Sequence, residues 1–281
     1  MAVHPNKKMV ATGCSSEGTD SKMVSVIIWD VETQAVLAEL GGFHQNAITG
    51  LEFSLDGNKL LTVGGDKYNS LALYDSPNSC LQAATRVGFD PVKALSWRND
   101  EEFMTVDSNN IRFYSARGTN LVSQKGSTGV YPLAGFNVCG TFVMEGKMAM
   151  TGRSSGQIFV WTKRGKVWKK KSHQGHNGSV NQIISIENGK RAISGCSSGY
   201  LKFWSTEGDE IKPHSSFLLN DINTMSIYAG MNSLQDPIHN VCSLDYDMNN
   251  NTLLIATKSS VIFEIVEAGK DSKLKDEDLL V

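Results

Sequence analysis

Two independent markers keep one rhythm along this chain. An aromatic residue closes a short apolar run at Trp29, Tyr74, Tyr114, Trp161, Trp204 and Phe263, at spacings of 45, 40, 47, 43 and 59 residues. A second marker ends the run before it, at Thr12-Gly13, Thr62-Val63, Thr105-Val106, Thr151-Gly152, Ser194-Gly195 and Ala256-Thr257, with spacings of 50, 43, 46, 43 and 62. Further apolar runs stand ahead of these pairs, at Ile48–Phe53, Val92–Trp97, Cys139–Met144, Val180–Ile186 and Val241–Tyr246. Short strands repeating every ~40–45 residues form small sheets that cannot bury both faces alone, so each copy requires neighbours. Unrelated hairpins in a β-sandwich would not keep this period.

The most complete copy is residues 175–204, GHNGSVNQIISIENGKRAISGCSSGYLKFW. It opens on Gly175-His176, turns at Asn188-Gly189 and again at Ser197–Gly199, and closes on Trp204. Three strands joined by tight turns between Gly-His and an aromatic resemble one WD40 repeat. The expected fold is therefore all-β: a WD40 β-propeller with six recognisable four-stranded blades over residues 1–265, followed by a charged C-terminal tail, 266–281. The inner strand that should precede His4-Pro5 is missing from the first blade, and no seventh repeat follows the sixth. This predicts an incomplete or open seven-blade ring, which a second propeller or a partner segment would complete. An insertion within 219–239 reads as a surface loop.

Composition excludes several functions. Lys and Arg total 27 against 29 Asp and Glu, a net charge of −2, so bulk electrostatics favour neither nucleic acid nor an acidic membrane. The five cysteines are odd in number, occupy strand positions and contain no Cys-x-x-Cys, which suits small buried hydrophobes in a reducing compartment. The sequence carries no signal-peptide pattern and no apolar run near the ~20 residues that span a bilayer, so the reading is cytoplasmic. Nucleophile elbow, phosphate loop, zinc-protease motif and paired carboxylates are all missing. Asp247, Asn249 and Asn251 begin like a calcium loop, but Thr252 stands where that loop needs Gly and Lys258 where it needs Glu. No enzyme activity, cofactor or metal is expected.

Several residues read as structural. His176, Ser194 and Trp204 stand where a hydrogen-bonded chain would tie a blade together, with Ser198 replacing the usual turn aspartate and leaving the chain incomplete. His44 with Thr62 and Tyr74 reads as a degenerate version. Trp29-Asp30 and Trp161 are the corresponding blade-closing positions. Partner-binding candidates are fewer. The run KRGKVWKKK places Lys163, Arg164, Lys166, Lys169, Lys170 and Lys171 around Trp168 with no acid. It is either a guarded sheet edge or a patch for acidic partners. Loops entering the opening strands add His44, Gln45 and Asn46, then Asp90–Val92, then Asn177.

Longer motifs carry a family resemblance. HP…ATG…VIIWD, then IRFYSARGTNLVSQKG, then MTGRSSGQIFVW followed by GHNGSVNQIISIENGKRAISG resemble, in order and spacing, the first of two tandem propellers in the echinoderm microtubule-associated protein-like family. The early blades are similar to WD-repeat proteins of cilia and flagella as well. The resemblance implies a tubulin- or microtubule-associated protein of the cytoskeleton, including that of cilia and flagella. The glutamate-rich tubulin tails would then be the acidic partner. The family's upstream hydrophobic motif, coiled coil and second propeller are absent from this sequence. The alternative is a scaffold in a ciliary or regulatory complex without direct tubulin contact.

Overall fold

The computed structural model describes residues 1–16, 23–127, 134–165, 167–207, 210–219, 239–265 and 279–280. Six four-stranded antiparallel sheets follow one another along the chain, each with its strands in sequence order. The fold is a β-propeller, with six blades among the described residues. Two compact units divide it, residues 1–127 and 128–281, with three sheets each.

In the first unit, sheet one comprises Ala2–Val3, Met9–Gly13, Met23–Asp30 and Val36–Gln45. Sheet two comprises Ile48–Phe53, Lys59–Gly64, Ser70–Asp75 and Cys80–Arg86; sheet three comprises Val92–Trp97, Glu102–Asp107, Ile111–Arg117 and Asn120–Lys125. In the second unit, sheet four comprises Asn137–Val143, Met148–Arg153, Gln157–Arg164 and Val167–Gln174. Sheet five comprises Val180–Ile186, Arg191–Cys196, Tyr200–Glu207 and Glu210–Leu218. Sheet six comprises Val241–Asp247, Thr252–Thr257, Ile262–Ile265 and the two-residue Leu279–Leu280.

Successive residues of a strand point to opposite faces, and here both faces of the middle strands are apolar. Leu61, Val63, Leu71 and Leu73 of sheet two pack with Trp97, Phe103 and Tyr114 of sheet three. Their sequence neighbours Leu60, Ala72 and Tyr74 pack the other way, with Ala11, Val26, Ile28 and Leu40 of sheet one. The second unit repeats this device: Met150 and Val160 meet Val180, Ile183 and Trp204, while Ile193, Leu201 and Phe203 meet Val241, Leu253 and Phe263. Each such side chain contributes ~1.5–3 kcal/mol on burial, which makes neighbouring sheets mutually dependent.

The second-strand glycines have a physical reason. A Cβ on Gly13 would stand 2.4 Å from Ile48 Cβ; on Gly152, 2.5 Å from Val180 Cγ1; on Gly195, 2.5 Å from Val241 Cγ1. Each glycine lets a β-branched residue of the next sheet's first strand approach closer than any side chain permits. The Thr-Gly and Ser-Gly markers are thus contact points between successive sheets.

Three expectations are revised. The first sheet has an opening strand, Ala2–Val3, paired with Ala11 and Val10, although it is only two residues long. In sheet six the repeat is shifted. Val180 pairs with Cys196 ahead of a register shift in sheet five, and Val241 pairs with Thr257 ahead of the same shift in sheet six. Ile255 therefore takes the place of Ser194, and Ile265, paired with Leu253, takes the place of Trp204, paired with Ala192. Phe263 lies two residues early on the same face, where pairing and not residue type decides. Finally, of the five free cysteines Cys139 and Cys196 are buried, whereas Cys14, Cys80 and Cys242 are exposed. Leu279 and Leu280 pair with Ile265 and Glu264 as an edge strand, at the end of the segment read as a tail. Residues 220–238, which hold nearly all of the insertion, lie outside the described residues.

Candidate functional site

The basic run falls on the last two strands of sheet four. Strand pairing sets Arg164 opposite Val167, Lys163 opposite Trp168, Thr162 opposite Lys169, Trp161 opposite Lys170 and Val160 opposite Lys171. Opposed residues share a face and successive ones alternate. Lys163, Trp168 and Lys170 therefore face one way with Trp161, while Arg164, Lys169 and Lys171 face the other.

The first face is largely inward. Trp168 is 2% exposed and meets Phe142 with ring centroids 6.0 Å apart. Lys170 Nζ stands 4.1 Å from the Phe159 ring centroid, and burial, helped by the nearby Arg153 charge, holds its pKa below the ordinary lysine value. Trp168 is therefore not presented to a partner and Lys170 is half-buried on the Phe159 ring, which corrects the expectation of one patch around Trp168. Lys163, Arg164, Lys169 and Lys171 are exposed. Lys171 Nζ lies 3.6 Å from Glu210 Oε1 on the outer strand of sheet five. Lys166 lies outside the described residues.

Two histidine-centred chains tie blades internally. In sheet five, His176 Nε2 stands 2.7 Å from Ser194 Oγ, and the Trp204 indole N–H donates to the same oxygen at 2.8 Å. His176 Nδ1 is buried with no hydrogen-bond partner. By sequence, the missing aspartate of this chain belongs at the turn position held by Ser198. In sheet two, His44 Nε2 lies 2.6 Å from Thr62 Oγ1 and Nδ1 lies 2.7 Å from Ser70 Oγ. The Ser70 hydroxyl donates in turn to Asp66. Asp66 and Ser70 were not expected from sequence; the turn GGDKYNS carries both. Tyr74 makes no bond to Thr62 in this chain. Burial pushes His44 and His176 down to about 4, with the Asp66 charge opposing the shift at His44 and the Lys202 charge adding to it at His176.

His44 is therefore removed from the partner-binding set: it is 2% exposed and both ring nitrogens are engaged. Gln45, the last residue of sheet one's outer strand, and the loop residues Asn46 and Asn177 are exposed. Asn46 takes a positive φ of 69°, and its carbonyl accepts the Ser16 amide at 2.6 Å and hydroxyl at 2.9 Å. Asp30 caps its own turn, accepting the Thr33 amide at 2.7 Å and hydroxyl at 2.8 Å.

Two further charged groups are embedded. Arg153, 3% exposed, donates to Asn137 Oδ1 at 2.8 Å and to the carbonyls of Ala134 and Gly135. Glu52 keeps a sealed Oε2 with no partner, and burial pushes its carboxyl up to about 8. It lines a cavity of about 310 Å³ with Lys93 and the residues Ile48–Leu51 and Val92–Leu95. Met1 and Thr49 border the same cavity. Among the described residues no cluster of three or more His, Cys, Asp or Glu could hold a metal. No helix among them is long and apolar enough to cross a membrane.

Comparison with known proteins gives three results. The family model described as the first β-propeller of echinoderm microtubule-associated protein matches residues 1–265. The chain is 28% identical over 195 residues to the 77 kDa echinoderm microtubule-associated protein of Strongylocentrotus purpuratus, covering 67% of this chain and 28% of that protein. It is 26% identical over 197 residues to human echinoderm microtubule-associated protein-like 1, covering 67% and 24%. The chain thus spans less than a third of the length of these relatives. Among solved structures, the Cps50 (Swd1) β-propeller domain of Myceliophthora thermophila superposes with a TM-score of 0.75 at 12% identity, covering 99% of this chain and 84% of that one. That likeness concerns the fold alone.

Proposed function

The chain belongs to the echinoderm microtubule-associated protein family, and from that premise we propose that it is a non-enzymatic interaction platform that associates with microtubules on the cytoskeleton, in the cytoplasm. The observation that carries the reading beyond family membership is the ridge on sheet four. Arg164, Lys169 and Lys171 project from one face, and Lys163 stands exposed beside them. Acidic tubulin tails supply the complementary charge. Each exposed contact contributes only ~0.2–1 kcal/mol and is screened over about 8–10 Å at physiological salt. Binding through this ridge is therefore collective and salt-sensitive.

Co-sedimentation with microtubules tests this. The double variant Lys169→Glu, Lys171→Glu reverses two charges on the outward face, and the parent fold should survive. The expected result is a sharp loss of pelleting, matched in the parent when tubulin tails are removed by limited proteolysis. Undiminished pelleting of a variant that melts like the parent would leave the ridge as a charged guard on a sheet edge.

A further inference from the structure

Two loops at one end of sheet two are laced together and carry a group of aromatic and cationic side chains. One, residues 66–69, joins the second and third strands; the other, residues 87–91, leads from the fourth strand to sheet three. Asp66 Oδ1 accepts the amides of Tyr68 and Ser70 at 3.1 and 3.2 Å. Asn69 is 6% exposed with a φ of +48°. Its Nδ2 donates to the carbonyls of Gly88 and Asp90 at 2.8 and 3.0 Å. The Gly88 amide donates back to Tyr68 O at 3.0 Å, and Val87 N–H to Asn69 O at 3.1 Å. The loops are thus fixed before anything binds, which lowers the ordering cost of binding.

What they display is unusual for a surface. Phe89 is 72% exposed, its ring 5.1 Å from that of Tyr68. The Arg86 guanidinium lies 4.9 Å from the Tyr68 centroid and Lys67 Nζ 5.5 Å from it. Arg112 Nη2 stands 3.7 Å from the point a Cβ on Gly88 would occupy, and Arg112 Nε is buried without a hydrogen-bond partner. Beside these groups lies a cavity of about 510 Å³ bordered by Phe43, Gln45, Tyr68 and Arg86. Two carboxylates stand near: Asp66, which also borders the cavity and bonds Ser70, and Asp90, which accepts Asn109 Nδ2 at 3.0 Å. They offset part of the charge of Lys67, Arg86 and Arg112, which leaves three cations to two carboxylates around an exposed aromatic pair.

The geometry points to a docking site for an extended acidic protein segment that carries one apolar side chain. The apolar group stacks on Tyr68 and Phe89 and enters the cavity. Its flanking carboxylates meet Lys67, Arg86 and Arg112, the Arg86 guanidinium lying over the Tyr68 ring. This rests on the interaction-platform reading, and it depends neither on microtubule binding nor on the ridge of sheet four.

The probe is a short fluorescent glutamate-rich peptide with one central tryptophan, read by anisotropy against the full chain. Companion peptides replace the tryptophan with glycine, or the glutamates with lysine. The parent should bind the first, bind the glycine peptide several-fold more weakly, and ignore the lysine peptide. Lys67→Glu with Arg86→Glu should weaken binding by roughly tenfold or more, about 1.4 kcal/mol. Phe89→Ser, a change at an exposed position that leaves the loop lacing intact, should weaken it without altering the melting temperature. The Lys169→Glu, Lys171→Glu variant should bind the peptide like the parent, which separates this site from the ridge. Failure of the parent to bind the tryptophan peptide, or equal binding by the Phe89→Ser and charge-reversed variants, overturns the proposal.

Discussion

The indole N–H of Trp204 donates to Ser194 Oγ at 2.8 Å, and the same bond joins Trp161 to Thr151 at 3.0 Å and Trp29 to Thr12 at 2.7 Å. Three blades thus share one polar lock between their second and third strands, buried in two of them and part-exposed in the third. Ser194 and Thr151 are fully buried, whereas Thr12 and Trp29 keep some contact with solvent.

The cost of breaking the lock should follow that burial. Ser194→Ala removes the partner of both Trp204 Nε1 and His176 Nε2, and each buried polar group left without a partner costs ~1–3 kcal/mol. Thr151→Ala affects one indole and should cost less; Thr12→Ala should cost least, because water can reach the site. Chemical denaturation of the three variants gives the order. An equal loss at Thr12 and Ser194 would contradict it.

Acid should destabilise the chain through its two buried histidines. His44 and His176 fall from the ordinary 6.5 to about 4 in the folded protein. The unfolded chain therefore takes up protons first as pH drops, and stability that is full above 6.5 declines through the window down to 4. His176 Nδ1 has no partner; if Ser198 holds the turn position of the missing aspartate, Ser198→Asp should raise that histidine's folded pKa and flatten the decline. Melting temperatures of parent and variant between pH 7.5 and 4.5 test this. Parallel curves would mean that Ser198 is not the missing member of the chain.

A methyl group at Gly195 should be costly for steric reasons alone. The new Cβ would meet Val241 Cγ1 at 2.5 Å, whereas one on Gly41 would meet only Ser25 Cβ at 3.6 Å. Gly195→Ala should lose roughly 1–3 kcal/mol and Gly41→Ala almost nothing. Adding Val241→Ala to Gly195→Ala should recover part of the loss, since the two residues share one contact. Strict additivity of the two substitutions would rule out the close approach as the cause.

The sequence by itself determined the repeat, the strand order within each blade and the polar locks, because these depend on residues close in the chain. Adjacent apolar residues such as Leu60 and Leu61 encode two buried faces, and the spacing from Thr151 to Trp161 is set by one hairpin. The choice of partner strand is not local, and there the tertiary structure decided. Phe263 looks like the sixth closing aromatic, yet the pairing of Val241 with Thr257 moves that role to Ile265. Six basic residues around Trp168 look like one patch, yet pairing with Gln157–Arg164 puts Trp168 and Lys170 on one face and Arg164, Lys169 and Lys171, all exposed, on the other. The Tyr68–Phe89 surface was invisible for the same reason. It is assembled by hydrogen bonds from Asn69 to Gly88 and Asp90, about twenty residues away, and a linear pattern does not show which loop a side chain will reach across to hold.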